Sequence, residues 1–328
     1  MSNDDTKQPS PRPPRSADIR PRRLIDAHSL KLVDLTDDQP TPPYAILSHR
    51  WIQEEEISFQ EMKSLELLDQ DRDVVERVKS KGGYKKIKYA CRQALRESIP
   101  FIWIDTCCIN QKDDKDVARN IRSMFLYYRN AVVCYVFLVD VDVRYRKQHR
   151  MRDSEWFRRG WTLQELIAPL RVVFFDNRWK RIGCKCDDAL GSKISSITGI
   201  PRRVLVGKRP LRKTGVLERM SWAMGRFTTR PQDRAYCLSG LLGVSMDPDY
   251  EESALVAFAR LRKAVVERHR GQEDKLRALG TPQHLYSVLI GKHYAAVASN
   301  GVNGAKKRKK RKVEVRLYRA CGFFIIVP

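Results

Sequence analysis

The chain reads as an α/β protein, a parallel sheet flanked by helices and followed by a helical annex. Three observations predict this. First, several short runs are large, apolar and partly β-branched with no period-2 alternation, among them Phe101-Ile102-Trp103-Ile104 and the stretch 131–139. Strands covered on both faces look like this. Second, the segments between those runs repeat apolar residues at helical spacing. The order strand, helix, strand, helix, strand, helix, strand favours a parallel sheet with crossover helices. Third, the apolar runs end abruptly in polar groups. Ile104 gives way to Asp105, Thr106, Cys107, Cys108, Ile109, Asn110 and Gln111, as at the carboxyl edge of an open sheet where ligands bind. On that segment alone a structural reading stays open: Asp105 capping a turn, and Asn110 or Asp113 capping the next helix.

Taken in order, residues 1–23 are polar and rich in Pro and Arg, and are expected to be disordered. Residues 24–180 form the α/β domain. Leu24-Ile25-Asp26 and Leu30-Lys31-Leu32-Val33 suit a short strand and its return, and prolines 40, 42 and 43 punctuate the entry to a buried strand at 44–51. The charged stretch 54–79 reads as an irregular linker with short helices. Ile87, Ala90, Cys91, Ala94 and Leu95 mark an amphipathic helix leading into the strand at 101. Val117, Ile121, Met124, Phe125 and Tyr128 mark another, before the strand 131–139. The spacing then predicts one helix over 154–167, with Ser154 as N-cap and Pro169 as stop, and a strand at 171–175. Residues 181–270 read as an annex with helices near 187–196, 217–227, 233–242 and 253–268. Residues 271–328 are an irregular basic tail.

The composition bounds the partners. Lys+Arg 63 against Asp+Glu 39 gives a net charge of +24 over 328 residues, which favours nucleic acid, anionic lipid or phosphate-bearing small molecules. Much of that charge is spread along the chain, so nucleic acid is expected only through the basic run that opens at Lys306 and closes at Lys312. No apolar run reaches membrane-span length, and the N-terminus lacks a signal-peptide core. A cytoplasmic protein is expected, reaching the nucleus through that run. The eight cysteines read as reduced intracellular thiols; Cys184-Lys185-Cys186 is too closely spaced for the usual zinc pair, and no metal is expected.

Three motifs stand in order: Tyr44-Ala45-Ile46-Leu47-Ser48-His49-Arg50-Trp51, the segment from Trp103 to Gln111, and Arg159-Gly160-Trp161-Thr162-Leu163-Gln164-Glu165-Leu166. Together they resemble the fungal heterokaryon-incompatibility (HET) domain. Ser221-Trp222-Ala223 and the segment Thr228 to Leu238 resemble the extension that follows it. The resemblance implies a role in non-self recognition, with programmed cell death when unlike hyphae fuse. It also implies a distant likeness to Toll/interleukin-receptor (TIR) domains, some of which hydrolyse NAD. Self-association, and contact with other incompatibility or NOD-like proteins, are the partners it implies. Tyr250-Glu251-Glu252-Ser253 replaces the family's usual Gly-Glu-Gly after the tyrosine, so an altered end to the annex is expected. No NTPase motif or repeat array is visible, which leaves two expectations, a lone effector module or a C-terminal stretch that comes from a faulty gene model.

If the domain cleaves the nicotinamide–ribose bond, a carboxylate is the natural partner of an oxocarbenium-like transition state. Glu165, in an apolar and amide context that would raise its pKa, is the first catalytic candidate and Asp105 the second. Ser48, His49, Asn110 and Gln111 suit hydrogen bonds to ribose or amide groups, Trp51 or Trp161 stacking on a base, and Arg159 a phosphate. No resident cofactor is required, NAD being a substrate. Structural readings stand beside these: Trp51 and Trp161 as core residues, His49 as a satisfied histidine, and Glu165 in a bridge with Arg159 or an annex arginine. The rival class of function is a protein-interaction module without chemistry.

Overall fold

The computed structural model describes residues 20–36, 40–66, 72–144 and 151–270, positions 280, 281, 283 and 287, and backbone strands at 316–320 and 323–327. The first nineteen residues and the run from Lys306 to Lys312 lie outside the described residues. Seven strands build the main sheet: β1 (Arg23–Asp26), β2 (Leu32–Asp34), β3 (Tyr44–His49), β4 (Phe101–Trp103), β5 (Val133–Phe137), β6 (Val172–Phe175) and β7 (Arg181–Cys184). Their order across the sheet is β2-β1-β4-β3-β5-β6-β7. The four central strands run parallel, and the flanking ones are antiparallel. Every residue of β3 and of β6 is buried. The missing alternation in the sequence is thus the mark of two covered faces, each fully buried Val, Ile or Phe contributing about 1.5–3 kcal/mol.

The helices cover those faces. α1 (Phe59–Ser64) and α2 (Arg72–Ser80) occupy the charged stretch before α3 (Gly82–Arg96), which buries Ile87, Ala90, Cys91 and Ala94. A Cβ on Gly83 would lie 2.4 Å from the Glu55 carbonyl oxygen, so glycine is what lets the 54–57 loop sit on the first turn of α3. α4 (Asp105–Cys108) is a single turn at the end of β4. α5 (Asp114–Asn130) starts where the Asp113 carboxylate accepts from the backbone N–H groups of Lys115 and Asp116. Trp103 is fully buried and meets Tyr127 and Tyr128 edge-on, at centroid distances of 5.7 and 6.0 Å.

Three expectations are corrected. The helix expected over 154–167 is broken into a 3-10 turn at Glu155–Arg158 and α6 (Thr162–Ile167). The break arises because backbone groups needed for a continuous helix pair with the annex instead. Phe227 N–H donates to the Arg158 carbonyl (2.7 Å) and Gly160 N–H to the Phe227 carbonyl (2.8 Å). The sheet also extends past residue 180, because β7 pairs with β6. Finally, Cys184 and Cys186 form a disulfide, while Cys91, Cys107, Cys108, Cys134 and Cys237 are free and buried. The turn after β7, closed by Asp187 N–H to the Cys184 carbonyl, brings the two Cα atoms to 5.1 Å, within disulfide range.

The annex comprises α7 (Asp188–Thr198), α8 (Arg202–Leu205), α9 (Val216–Ser221), α10 (Asp233–Leu242) and α11 (Ala254–Arg268). Leu238, Leu241 and Phe258 belong to the same buried cluster as Ile46, Trp103 and Val136. The apolar stretch near the end of the chain forms β9 (Phe323–Val327), paired antiparallel with β8 (Arg316–Ala320).

Candidate active site

Because β3, β4 and β5 run parallel, their carboxyl ends share one edge of the sheet. β3 ends in Ser48 and His49, both buried, and β4 leads through Ile104 into Asp105 at the start of α4. α6 brings Glu165 to the same edge. Ser48 Oγ donates to Glu165 Oε2 at 2.5 Å and accepts from Trp156 Nε1 at 2.8 Å. The Tyr128 hydroxyl donates to the Leu47 carbonyl at 3.1 Å and also lies within hydrogen-bonding reach of Glu165. Burial, reinforced by the charge of Asp105, pushes Glu165 up to about 8, against the Ser48 and Tyr128 hydrogen bonds and the Arg159 charge. The helix is held from behind by Lys185, fully buried, whose Nζ donates to the Leu166 and Pro169 carbonyls at 2.8 and 2.5 Å.

Asp105 is the accessible partner, its side chain 19% exposed. It accepts from Trp51 Nε1 at 2.9 Å and from the Thr106 N–H at 2.9 Å. On its other side His49 Nδ1 stands 3.9 Å away, while His49 Nε2 stands 3.4 Å from Glu56 Oε2. Lys86 Nζ donates to both Glu56 oxygens at 2.6 Å. Burial disfavours the Glu56 carboxylate, but His49 and Lys86 outweigh it and hold Glu56 at about 2. The result is a line of buried or half-buried charged and polar groups, Lys86, Glu56, His49, Asp105 and Glu165, along the sheet edge.

Residues 44–151 match the family model described as heterokaryon incompatibility protein (HET). The chain is a HET-domain protein. The vegetative incompatibility protein HET-E-1 of Podospora anserina is 39% identical over 254 residues, covering 74% of this chain and 18% of that protein. The chain therefore spans less than a fifth of that relative's length. No solved structure matches. Ser48, His49, Trp51, Glu56, Lys86 and Asp105 fall inside the matched HET segment; Glu165 lies beyond it.

Of the residues singled out in the sequence, this HET fold brings together Ser48, His49, Trp51, Asp105 and Glu165. Trp51 is 41% exposed at the rim and is no core residue. Asn110 turns aside: its Oδ1 accepts from Gln60 Nε2 at 2.6 Å, and its backbone N–H donates to Asp116. Gln111 is exposed in the following turn. Trp161 Nε1 donates to Asp233 in the annex at 3.1 Å. Arg159 is half-buried, and its charge acts on both Glu165 and Asp233. Among the described residues, the one group with metal-ligand proximity is Cys184, Cys186 and Asp187, and the disulfide engages both of its sulfurs.

Glu56, Lys86, Tyr128 and Trp156 were missed as site residues. Glu56 sits in a stretch that reads as solvated charge, and Lys86 on a helix whose apolar stripe gives no hint that a lysine is buried beside it. Tyr128 and Trp156 carry packing signals, and their hydrogen-bonding role is visible only once α5 and the 3-10 turn meet β3.

Proposed function

We propose that this chain acts in heterokaryon incompatibility as an effector that triggers cell death by hydrolysing NAD. The family and the relative's name support the incompatibility role. One arrangement carries the chemistry: Glu165, whose pKa burial and the charge of Asp105 both raise, lies at the same carboxyl edge of a parallel sheet as the accessible carboxylate Asp105. A buried carboxyl whose pKa is raised by burial and by the charge of another carboxylate is the kind of group that acid–base sites use. The TIR-like reading of the fold agrees with such a site, but likeness of fold alone does not give an activity.

The reaction would run as follows. A cationic nicotinamide ring entering beside Asp105 and Glu165 favours the ionised form of both carboxyls, so Glu165 loses its proton as substrate binds. As the C–N glycosidic bond breaks, its electron pair leaves with neutral nicotinamide and positive charge passes to the ribose, where a carboxylate stabilises it. Water adds to the ribose carbon and its proton goes to a carboxylate, giving nicotinamide, ADP-ribose and a proton. Ser48 and Tyr128 hold Glu165 in place, and Trp51 orients Asp105.

The test is nicotinamide release from NAD by the purified chain at high protein concentration, beside Glu165→Gln. Release by the parent and its loss in a folded Glu165→Gln protein is the expected result. No release, with cell killing retained by both parent and Glu165→Gln in vivo, would move the function to a protein-binding face.

A further inference from the structure

A groove of about 260 Å³ lies beside the carboxylate cluster, between the 52–56 loop, α3 and the turn after β6. One wall is aromatic. Trp179 stacks on Phe137 at a centroid distance of 5.0 Å and 18° between planes, and on Tyr89 at 6.0 Å and 19°. Tyr89 is 46% exposed and Trp179 half-buried, so the stack lines the groove rather than being sealed in the core. The opposite wall is Glu56 with Lys86, the pair that also holds His49.

The position of the groove in the topology is the second observation. From β3 the chain goes to β4 on one side, then returns past β3 to β5 on the other, giving the order β4-β3-β5-β6. The crevice between the carboxyl ends of β3 and β5 is therefore the switch point of the sheet, the place where open α/β sheets bind ligands. Phe137 and Val139, at and beyond the end of β5, line the groove. His49, paired in register with Phe137, stands between the groove and Asp105. Its ring is buried with no hydrogen bond aligned on either nitrogen.

The lining charges cancel, with Glu55 and Glu56 against Lys85 and Lys86, so the groove does not select a strongly charged group. Stacked rings, a neutral polar wall and the exposed amide of Asn177 at the rim suit a flat, uncharged, nitrogen-bearing ring. We infer that this groove is the subsite for a nucleobase-sized planar heterocycle, held by stacking on the Tyr89–Trp179–Phe137 wall. The inference deepens the nucleotide-directed reading of the neighbouring carboxylates and rests on it for the identity of the ligand.

The test is binding of AMP to the full chain, followed by tryptophan fluorescence in the parent and in Trp179→Leu and by saturation-transfer NMR, with ribose 5-phosphate as the ringless control. AMP is expected to bind and ribose 5-phosphate not. Tyr89→Ala, at an exposed position that does not endanger folding, is expected to weaken AMP about five- to a hundredfold, the range for losing one base–aromatic stack. Equal binding of the two probes, no AMP binding at millimolar concentration, or unchanged affinity in both Tyr89→Ala and Trp179→Leu would overturn the assignment. The two readings fail separately. AMP binding without nicotinamide release removes the hydrolase and keeps the groove, whereas release with AMP binding insensitive to the aromatic variants removes the groove and keeps the hydrolase.

Discussion

Glu165 and Asp233 are two buried carboxyls, both pushed above their ordinary values chiefly by burial. Their surroundings differ. Asp233 opens α10 and accepts from Trp161 Nε1 at 3.1 Å and from the Tyr250 hydroxyl at 2.9 Å, with the Arg230 guanidinium 4.0 Å from the Tyr250 ring centre. Every neighbour that acts on it answers its charge. Glu165 has hydroxyl partners too, but its strongest neighbour is another carboxylate, Asp105. A carboxyl whose neighbours all favour ionisation is a tie between segments, here joining the α6 entry to the annex. One placed against a like charge stores a proton, and that costs stability unless function requires it.

The largest expected effect separates the two directly. Glu165→Gln should lower nicotinamide release on the order of 10²–10⁴-fold, the usual worth of a positioned acid–base group, while Asp233→Asn should leave the rate per folded molecule unchanged. A rate assay corrected for folded fraction decides it. A stability profile against pH comes next. Glu165 titrates near 4.5 when unfolded and at about 8 when folded, so between these values the folded chain keeps a proton that the unfolded chain releases. Its contribution is therefore full below about pH 4.5 and is lost as pH rises towards 8, by at most about 1.4 kcal/mol per pH unit. Lys185, pulled down to about 7 by burial, adds the opposite slope above that pH, so the decline should be clearest between about pH 4.5 and 7 and should shrink in Glu165→Gln to the part that the raised Asp233 contributes. Urea titrations across that range measure it.

Smaller effects sharpen the contrast. Asp233→Ala strands the Trp161 and Tyr250 donors and should cost about 1–3 kcal/mol, read as a shifted urea midpoint. Trp51→Phe removes only the indole donor to Asp105 at an exposed rim. It should change stability by less than about 0.5 kcal/mol and activity by about fivefold, the worth of one hydrogen bond of about 1 kcal/mol.

The central strands were legible because burial on both faces writes itself as unbroken apolar runs, and β3 and β6 are buried throughout. β7 was not, because Arg181-Ile182-Gly183-Cys184 is a short edge strand that begins exposed and carries no such run. The helix over 154–167 failed for a tertiary reason, the pairing of Phe227 with Arg158 and Gly160. A Cβ on Gly160 would meet Thr228 at 2.6 Å, so that glycine marks a close approach rather than a helix position. In the site, Glu165, Asp105, Ser48, His49 and Trp51 were legible because polar groups interrupt apolar runs at strand ends and on α6. The Lys86–Glu56 pair was not, since a buried ion pair between a loop and a helix leaves no local pattern.

The most direct test of the account is the protonation state of Glu165 itself. An infrared titration of the parent against Glu165→Gln would follow the protonated-carboxyl band. A band present at pH 7, missing from the variant and titrating near 8, is the expected result. If the band attributable to Glu165 were already gone by about pH 5, the carboxyl would be an ordinary buried ion, and the acid–base reading of the site would be wrong.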